Sequence, residues 1–342
     1  VLLVLAHIDD ADEAVEELCG FGIDARGFPA LEVLPGETSL SLELLFARLS
    51  LVGELLEGRA PQVVVAPVSA LMQGIPAADR LGTLLRRIRT GDRLVLAEFT
   101  EWLSGGGYER TDTVEHPGEF AIRGGIIDVI PPGGGQPFRL DLFGDEVEGI
   151  FEIDLATQAS DRRMEQVELV GAPLESLQTD EATLQFADLF TGDAVAVLAE
   201  VAELTEQARG YWERVGDSRG VFGPPAVFKA LGQRCHAVLD VNQFSPGVMP
   251  ERATVLPVSG LPGFDEEAPQ AFRELVELTE RFRTLVLCEN KGESTRTREL
   301  LADQESSGDV EIHVAHLHRG FLWEGEHNLA LVPQHELLHR YS

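Results

Sequence analysis

Val1–Leu5 is an unbroken apolar run, and so is Val63–Ala66. A strand with no polar side must be covered on both faces, which is the situation inside a parallel sheet flanked by helices. The intervening residues fit that picture. After Asp9 and Asp10, the residues Ala11, Ala14, Val15 and Leu18 recur at helical spacing and end at Gly20 and Gly22. A second helix is predicted over Leu40–Glu57, with Leu44, Ala47, Leu51 and Leu55 on one face and Gly58 as its stop. Buried strands alternating with amphipathic helices predict βαβ units and a parallel sheet.

From about Arg93 the rhythm changes. Glu119–Arg123, Ile126–Ile130, Phe138–Phe143 and Val147–Ile153 alternate with period two, punctuated by Gly105–Gly107 and Gly133–Gly135. Alternation of this kind predicts antiparallel strands with one covered face. The βα rhythm returns with a strand over Ala194–Leu198, a helix over Glu200–Val215 and a strand over Ala237–Val241. A Pro- and Gly-rich stretch at Leu256–Gly263 reads as a boundary. Beyond it the sequence predicts strands at Thr284–Cys288, Val310–Ala315 and Asn328–Val332, with a helix over Ser294–Gln304. The fold class is therefore α/β. A parallel-sheet domain is expected in two segments, 1–93 and 173–262. A mostly antiparallel β (α+β) module over 94–172 is inserted between them, and a small C-terminal α/β domain covers 263–342.

Charge and composition exclude some functions. The chain has 342 residues, with 27 Lys+Arg against 58 Asp+Glu and a formal net charge of −31. Phosphate backbones require a basic face, so weak or no DNA binding is expected. Cys19, Cys235 and Cys288 form no CxxC pair, so neither a disulfide framework nor a thiolate metal site is expected. Cys288 lies in an apolar run and reads as a buried thiol. No apolar run reaches the ~18 residues of a membrane span, and Val1–Ala6 lacks the basic leader of a signal peptide. The expectation is a cytoplasmic chain without a membrane partner. Val1 reads as an interior position of something longer.

Three constellations bear on chemistry. A phosphate loop needs a Gly-rich turn followed by Lys and Ser/Thr, and Asn290–Thr295 holds those letters in the wrong order. No GxGxxG is present either, so no catalytic residue and no nucleotide cofactor are expected in the chain. His335-Glu336-Leu337-Leu338-His339 is a literal HExxH, which on a helix could hold zinc with the Glu as general base. The third ligand such a site needs would have to come from His313, His316 or His318. The alternative is a surface helix start rich in His. Finally, in Phe138–Phe143 strict alternation puts Phe138, Leu140 and Leu142 on one face and Arg139, Asp141 and Phe143 on the other. In the preceding strand Arg123 falls on the polar face with Ala121, and Gly124-Gly125 is expected to bend or bulge that strand. Arginines beside an outward aromatic have the composition of a protein-interface hot spot. The alternative is ordinary surface arginines paired with local carboxylates such as Asp141 or Asp145, and Phe143 tucked under a loop.

Gly118–Asp128, then Pro137–Phe143 with Asp145-Glu146, resembles the UvrA-binding module shared by UvrB and the bacterial transcription-repair coupling factor (Mfd) family. The flanks resemble the coupling factors: Phe28–Pro35, Val65–Gln73, Arg319-Gly320-Phe321, Leu329–Val332 and Glu336-Leu337-Leu338. The resemblance implies that the parallel-sheet domain is a degenerate, RecA-like (helicase-type) domain. It implies UvrA as partner, with Arg123, Arg139 and Phe143 as the contacting side chains. It also implies a strand and helix start at 335–339 rather than a zinc site. In the intact family protein, RNA polymerase, double-stranded DNA, ATP and Mg belong to segments beyond this chain. A UvrB-like helicase fragment with a phosphate loop upstream of Val1 is the rival reading, and a zinc hydrolase the more remote one.

Overall fold

A computed structural model describes residues 1–31, 41–132, 135–171, 183–190, 192–216, 219–243, 252–302 and 309–338. Glu32–Pro35, Leu40, Gly133, Gly134, residues 303–304 and His339 lie outside the described residues, as does the boundary expected at 172/173. The chain forms two compact units, Val1–Asp12 with Ala25–Asn242, and Glu13–Asp24 with Gln243–Ser342.

The first unit opens with β1 (Leu2–Leu5), the start of α1 (Ile8–Gly20), β2 (Ala25–Gly27), α2 (Leu42–Leu56), β3 (Val63–Pro67) and α3 (Val68–Met72). β4 (Ile75–Pro76), α4 (Ala78–Leu84), β5 (Leu85–Arg89) and α5 (Leu96–Gly105) lead into the module. The module continues with β6 (Glu109–Thr111), β7 (Glu119–Arg123), β8 (Ile126–Val129), β9 (Phe138–Phe143), β10 (Glu146–Asp154), β11 (Ala159–Met164) and β12 (Gln166–Val170). β13 (Thr183–Leu184), β14 (Val195–Ala199), α6 (Val201–Arg214), α7 (Pro224–Arg234) and β15 (Ala237–Val241) close the unit. The apolar runs form one five-stranded sheet, ordered β15-β14-β1-β3-β2 and parallel throughout. Leu2, Val4, Val64, Ala66 and Ala196 are buried in it. The sheet thus draws strands from before and after the module.

A buried cation organises one side of this core. Arg48 on α2 is fully buried and lies over the Phe28 ring, 3.9 Å from its centre. Its Nη1 donates to the carbonyl of Pro29 at 2.9 Å, and its Nη2 to those of Ala70 at 3.0 Å and Gln73 at 2.6 Å. Burial pushes its pKa down to about 9, which leaves it protonated at neutral pH. The ring of Phe186 stacks on Phe28 at 3.7 Å.

The module's main sheet runs β11-β10-β9-β8-β7-β6. Every pair is antiparallel except β6 with β7. Phe120, Ile127, Phe138, Leu140 and Ile150 cover one face of it and pack with Phe99 and Leu103 of α5. Fully burying a side chain of that size contributes about 1.5–3 kcal/mol. The helix α5 is the helical part of a module expected to be mostly antiparallel β, at a position the alternation did not mark. β5 pairs with β12 beside it.

The second unit contains β16 (Val258–Gly260), α8 (Ala268–Leu278), β17 (Arg283–Cys288), α9 (Lys291–Ala302), β18 (Val310–Val314), β19 (Phe321–Trp323), β20 (Leu329–Pro333) and α10 (Gln334–Leu338). Its sheet runs β16-β19-β20-β17-β18. β17 is parallel to both of its neighbours, while β19 is antiparallel to β16 and β20. Cys288 is buried there, and burial raises its pKa, as expected for an inert thiol. No helix of the described residues is long and apolar enough to cross a membrane.

Candidate functional site

The register of the module's sheet builds the site. Asp128 on β8 stands opposite Arg139 on β9 and opposite Ala121 on β7, so these three share a face. Arg123 stands opposite Ile126, and Ile126 opposite Asp141, so they lie on that face as well. Phe143 follows two residues after Asp141 on the same strand. The alternation therefore puts Arg123, Arg139 and Phe143 on one outward face, backed by the packed inner face.

Two hairpin turns bring Arg123 and Phe143 to the same end of the sheet. Gly124 and Gly125 link β7 to β8 as a two-residue turn, with Gly124 at φ +65°. This corrects the expected bend or bulge within a strand: the pair is where the chain reverses. A Cβ on Gly125 would sit 2.7 Å from the carbonyl oxygen of Leu142, and the Gly125 carbonyl accepts the Leu142 N–H at 2.8 Å. The neighbouring β9–β10 turn carries Gly144 at φ +62°. It is braced from outside the sheet, because the Leu94 N–H donates to the Asp145 carbonyl at 2.6 Å.

The three side chains differ in what they can still do. Arg139 donates to both oxygens of Asp128, from Nε at 2.6 Å and from Nη2 at 2.9 Å. Its remaining directions go to Ser160 Oγ at 3.2 Å and the Gln158 carbonyl at 3.3 Å. Its side chain is 15% exposed, and the Asp128 hydrogen bonds hold its pKa above the ordinary arginine value. Arg123 gives Asp128 one bond of 3.2 Å and is 49% exposed, so about half of the side chain faces solvent and donors remain for a partner. Phe143 is 80% exposed, an aromatic with almost none of its surface covered.

The sequence reading missed Asp128, which is 1% exposed and is the carboxylate both arginines use. Its signal was available. In Ile126-Ile127-Asp128-Val129 a carboxylate interrupts an apolar strand, and a buried charge of that kind needs a partner. Of the alternative, the pairing with a local carboxylate holds for both arginines, through Asp128 rather than Asp141 or Asp145, whereas Phe143 stands exposed instead of tucked under a loop. Asp145 pairs instead with Arg93 at 3.3 Å.

His335 and Glu336 of the HExxH stretch make hydrogen bonds within the fold. Glu336 accepts the Gly320 N–H at 2.7 Å, and His335 Nε2 lies 3.0 Å from the His318 carbonyl. Among the described residues no group of three His, Cys, Asp or Glu side chains is placed to hold a metal.

Residues 87–174 match the UvrB interaction domain family. The chain is 33% identical over 160 residues to the transcription-repair-coupling factor of Haemophilus influenzae, covering 46% of this chain and 14% of that protein. It is 32% identical over 163 residues to the Bacillus subtilis protein of the same name, covering 47% and 14%. A Staphylococcus aureus one is 30% identical over 176 residues, covering 50% and 15%. These alignments take in about one seventh of the length of the relatives.

Proposed function

We propose that this chain is the non-catalytic, UvrA-recruiting part of a transcription-repair coupling factor, acting in transcription-coupled nucleotide excision repair. The observation that carries the reading is the outward face bearing Arg123, Arg139 and Phe143, within a segment that matches the UvrB interaction domain family. Arg123 supplies charge-assisted hydrogen bonds to a carboxylate of UvrA, and Phe143 an apolar anchor. Arg139 acts mainly by neutralising Asp128 and holding the corner in shape. The parallel sheet drawn from residues before and after the module supports a RecA-like domain in two segments, 1–93 and 173–262. The module over 94–172 is inserted between them, and a small α/β domain over 263–342 follows. Catalysis, with ATP, Mg, double-stranded DNA and RNA polymerase, belongs to the rest of the intact cytoplasmic protein.

The test is a binding titration of the chain against purified UvrA. Arg123→Ala and Phe143→Ala are each expected to weaken binding about tenfold, equivalent to ~1.4 kcal/mol. A wild-type chain that fails to bind UvrA sinks the function. Wild-type affinity in both folded variants removes the site.

A further inference from the structure

We infer that the partner footprint does not end at the Arg123–Phe143 corner but crosses the sheet to its free edge, with Phe151 and Arg163 as further contact residues for an acidic, apolar-topped patch of the partner. The inference rests on the proposed UvrA-binding reading and specifies how that face is used.

The register supplies the first observation. Arg139 on β9 stands opposite Phe151 on β10, and Phe151 opposite Arg163 on β11. One row therefore runs Asp128, Arg139, Phe151, Arg163 across four adjacent strands, all on the outward face. With β7 included, this face spans four inter-strand spacings, about 19 Å at ~4.8 Å each.

The second observation is how Phe151 is held. The pairing of β10 slips between Val147 and Gly149, and again between Phe151 and Ile153. Bulges re-aim side chains, and these two bracket Phe151. Gly149 lies under the ring: a Cβ there would come 2.6 Å from the Phe151 ring carbon Cε2. The ring is thus laid against its own strand as a half-buried apolar platform beside Arg139.

The third observation is charge. β11 is the sheet's edge strand, and Arg163 on it is exposed. The Arg163 Nη2 donates only to the Glu148 backbone carbonyl at 3.2 Å, and among the described residues its charge meets no carboxylate. The opposite edge differs in sign. There Glu109 on β6 stands opposite Glu119 on β7, on the same outward face. A specific interface covers about 800 Å² on each partner, more than a three-residue corner provides. A partner that presents carboxylates to Arg123 gains by growing toward Arg163 and loses by growing toward Glu109.

The experiment is the UvrA titration extended to Arg163→Glu, Phe151→Ala and Glu109→Ala, each checked for an unchanged melting curve. Arg163→Glu is expected to weaken binding at least tenfold, Phe151→Ala at least fivefold, and Glu109→Ala less than twofold. Should Phe151→Ala melt early, Phe151→Leu replaces it, with a loss of at least threefold expected. Wild-type affinity for Arg163→Glu, while Arg123→Ala still weakens binding, overturns the extended footprint and leaves the corner site standing. A wild-type chain that does not bind UvrA overturns both readings.

Discussion

Asp128 carries the most consequence for its size. It is a carboxylate with almost no water contact, and its charge is balanced by two guanidinium groups of unequal commitment. Removing one partner of a buried pair strands the other, at a cost of about 3–5 kcal/mol. Arg139 keeps some exposure, so Asp128→Ala is expected near the lower end, about 3 kcal/mol, read as a shift of the urea midpoint. Arg123→Ala removes one exposed, monodentate contact and is expected to cost less than ~1 kcal/mol of stability. Equal losses for the two variants would refute this division of labour. Arg48 gives a parallel case without a carboxylate. Arg48→Met strips the guanidinium donors from the Pro29 and Gln73 carbonyls and one of two donors from that of Ala70, and is expected to lower stability by about 3 kcal/mol in the same assay. The outward positions of Arg123, Arg139 and Phe143 were legible from alternation alone. Their unequal roles were not, because the bonds of Arg139 depend on Asp128, Gln158 and Ser160, which reach it only through strand pairing and a turn.

At the scale of the element, the β7–β8 hairpin turn sets the corner. Its two glycines are needed for different reasons, which separate experimentally. Gly124 has a positive φ, and Gly124→Ala is expected to cost about 1 kcal/mol through backbone strain. Gly125→Ala would drive a methyl group into the Leu142 carbonyl of the next strand, which is backbone and cannot rotate away. A loss of about 2–3 kcal/mol is expected, with Gly125→Ala melting below Gly124→Ala. The reverse order would show that the close approach is relieved by a small shift of β9. A Gly-Gly pair between two alternating runs is compatible with both a bulge and a reversal, and only the register decides. The helix α5 escaped the sequence reading for a related reason. Leu96, Phe99 and Leu103 have helical spacing, but the element is short and its neighbours are strands.

For the whole molecule, the parallel sheet of the first unit could be read from the unbroken apolar runs, whereas the strand order could not. The pairing of Leu2 with Ala196 joins segments far apart in the chain and leaves no local signature. Net charge, by contrast, is a property of the whole chain and predicts behaviour directly. At −31, carboxylate repulsion extends over the surface, while the exposed ion pairs are individually weak. Raising the ionic strength from ~0.01 M to ~0.15 M shortens the screening length from about 30 Å to about 8 Å, which suppresses long-range repulsion more than close pairs. Stability at pH 7 is therefore expected to rise with salt. Titration adds its own slope. Backbone N–H groups of Glu115 and His116 hold the Glu119 carboxyl below its ordinary pKa of 4.5. Its contribution is thus present above 4.5 and is lost as pH falls through the depressed value. Glu203 holds the His7 pKa above its ordinary 6.5, so that contribution is present below 6.5 and is lost as pH rises through the raised value. Both contributions are in place between 4.5 and 6.5, a window in which the excess negative charge also begins to fall. Urea midpoints measured from pH 4 to pH 8 at two salt concentrations are expected to peak inside that window and to rise with salt at pH 7. A maximum above pH 7, or a midpoint that falls on adding salt, would mean that close ion pairs outweigh the repulsion.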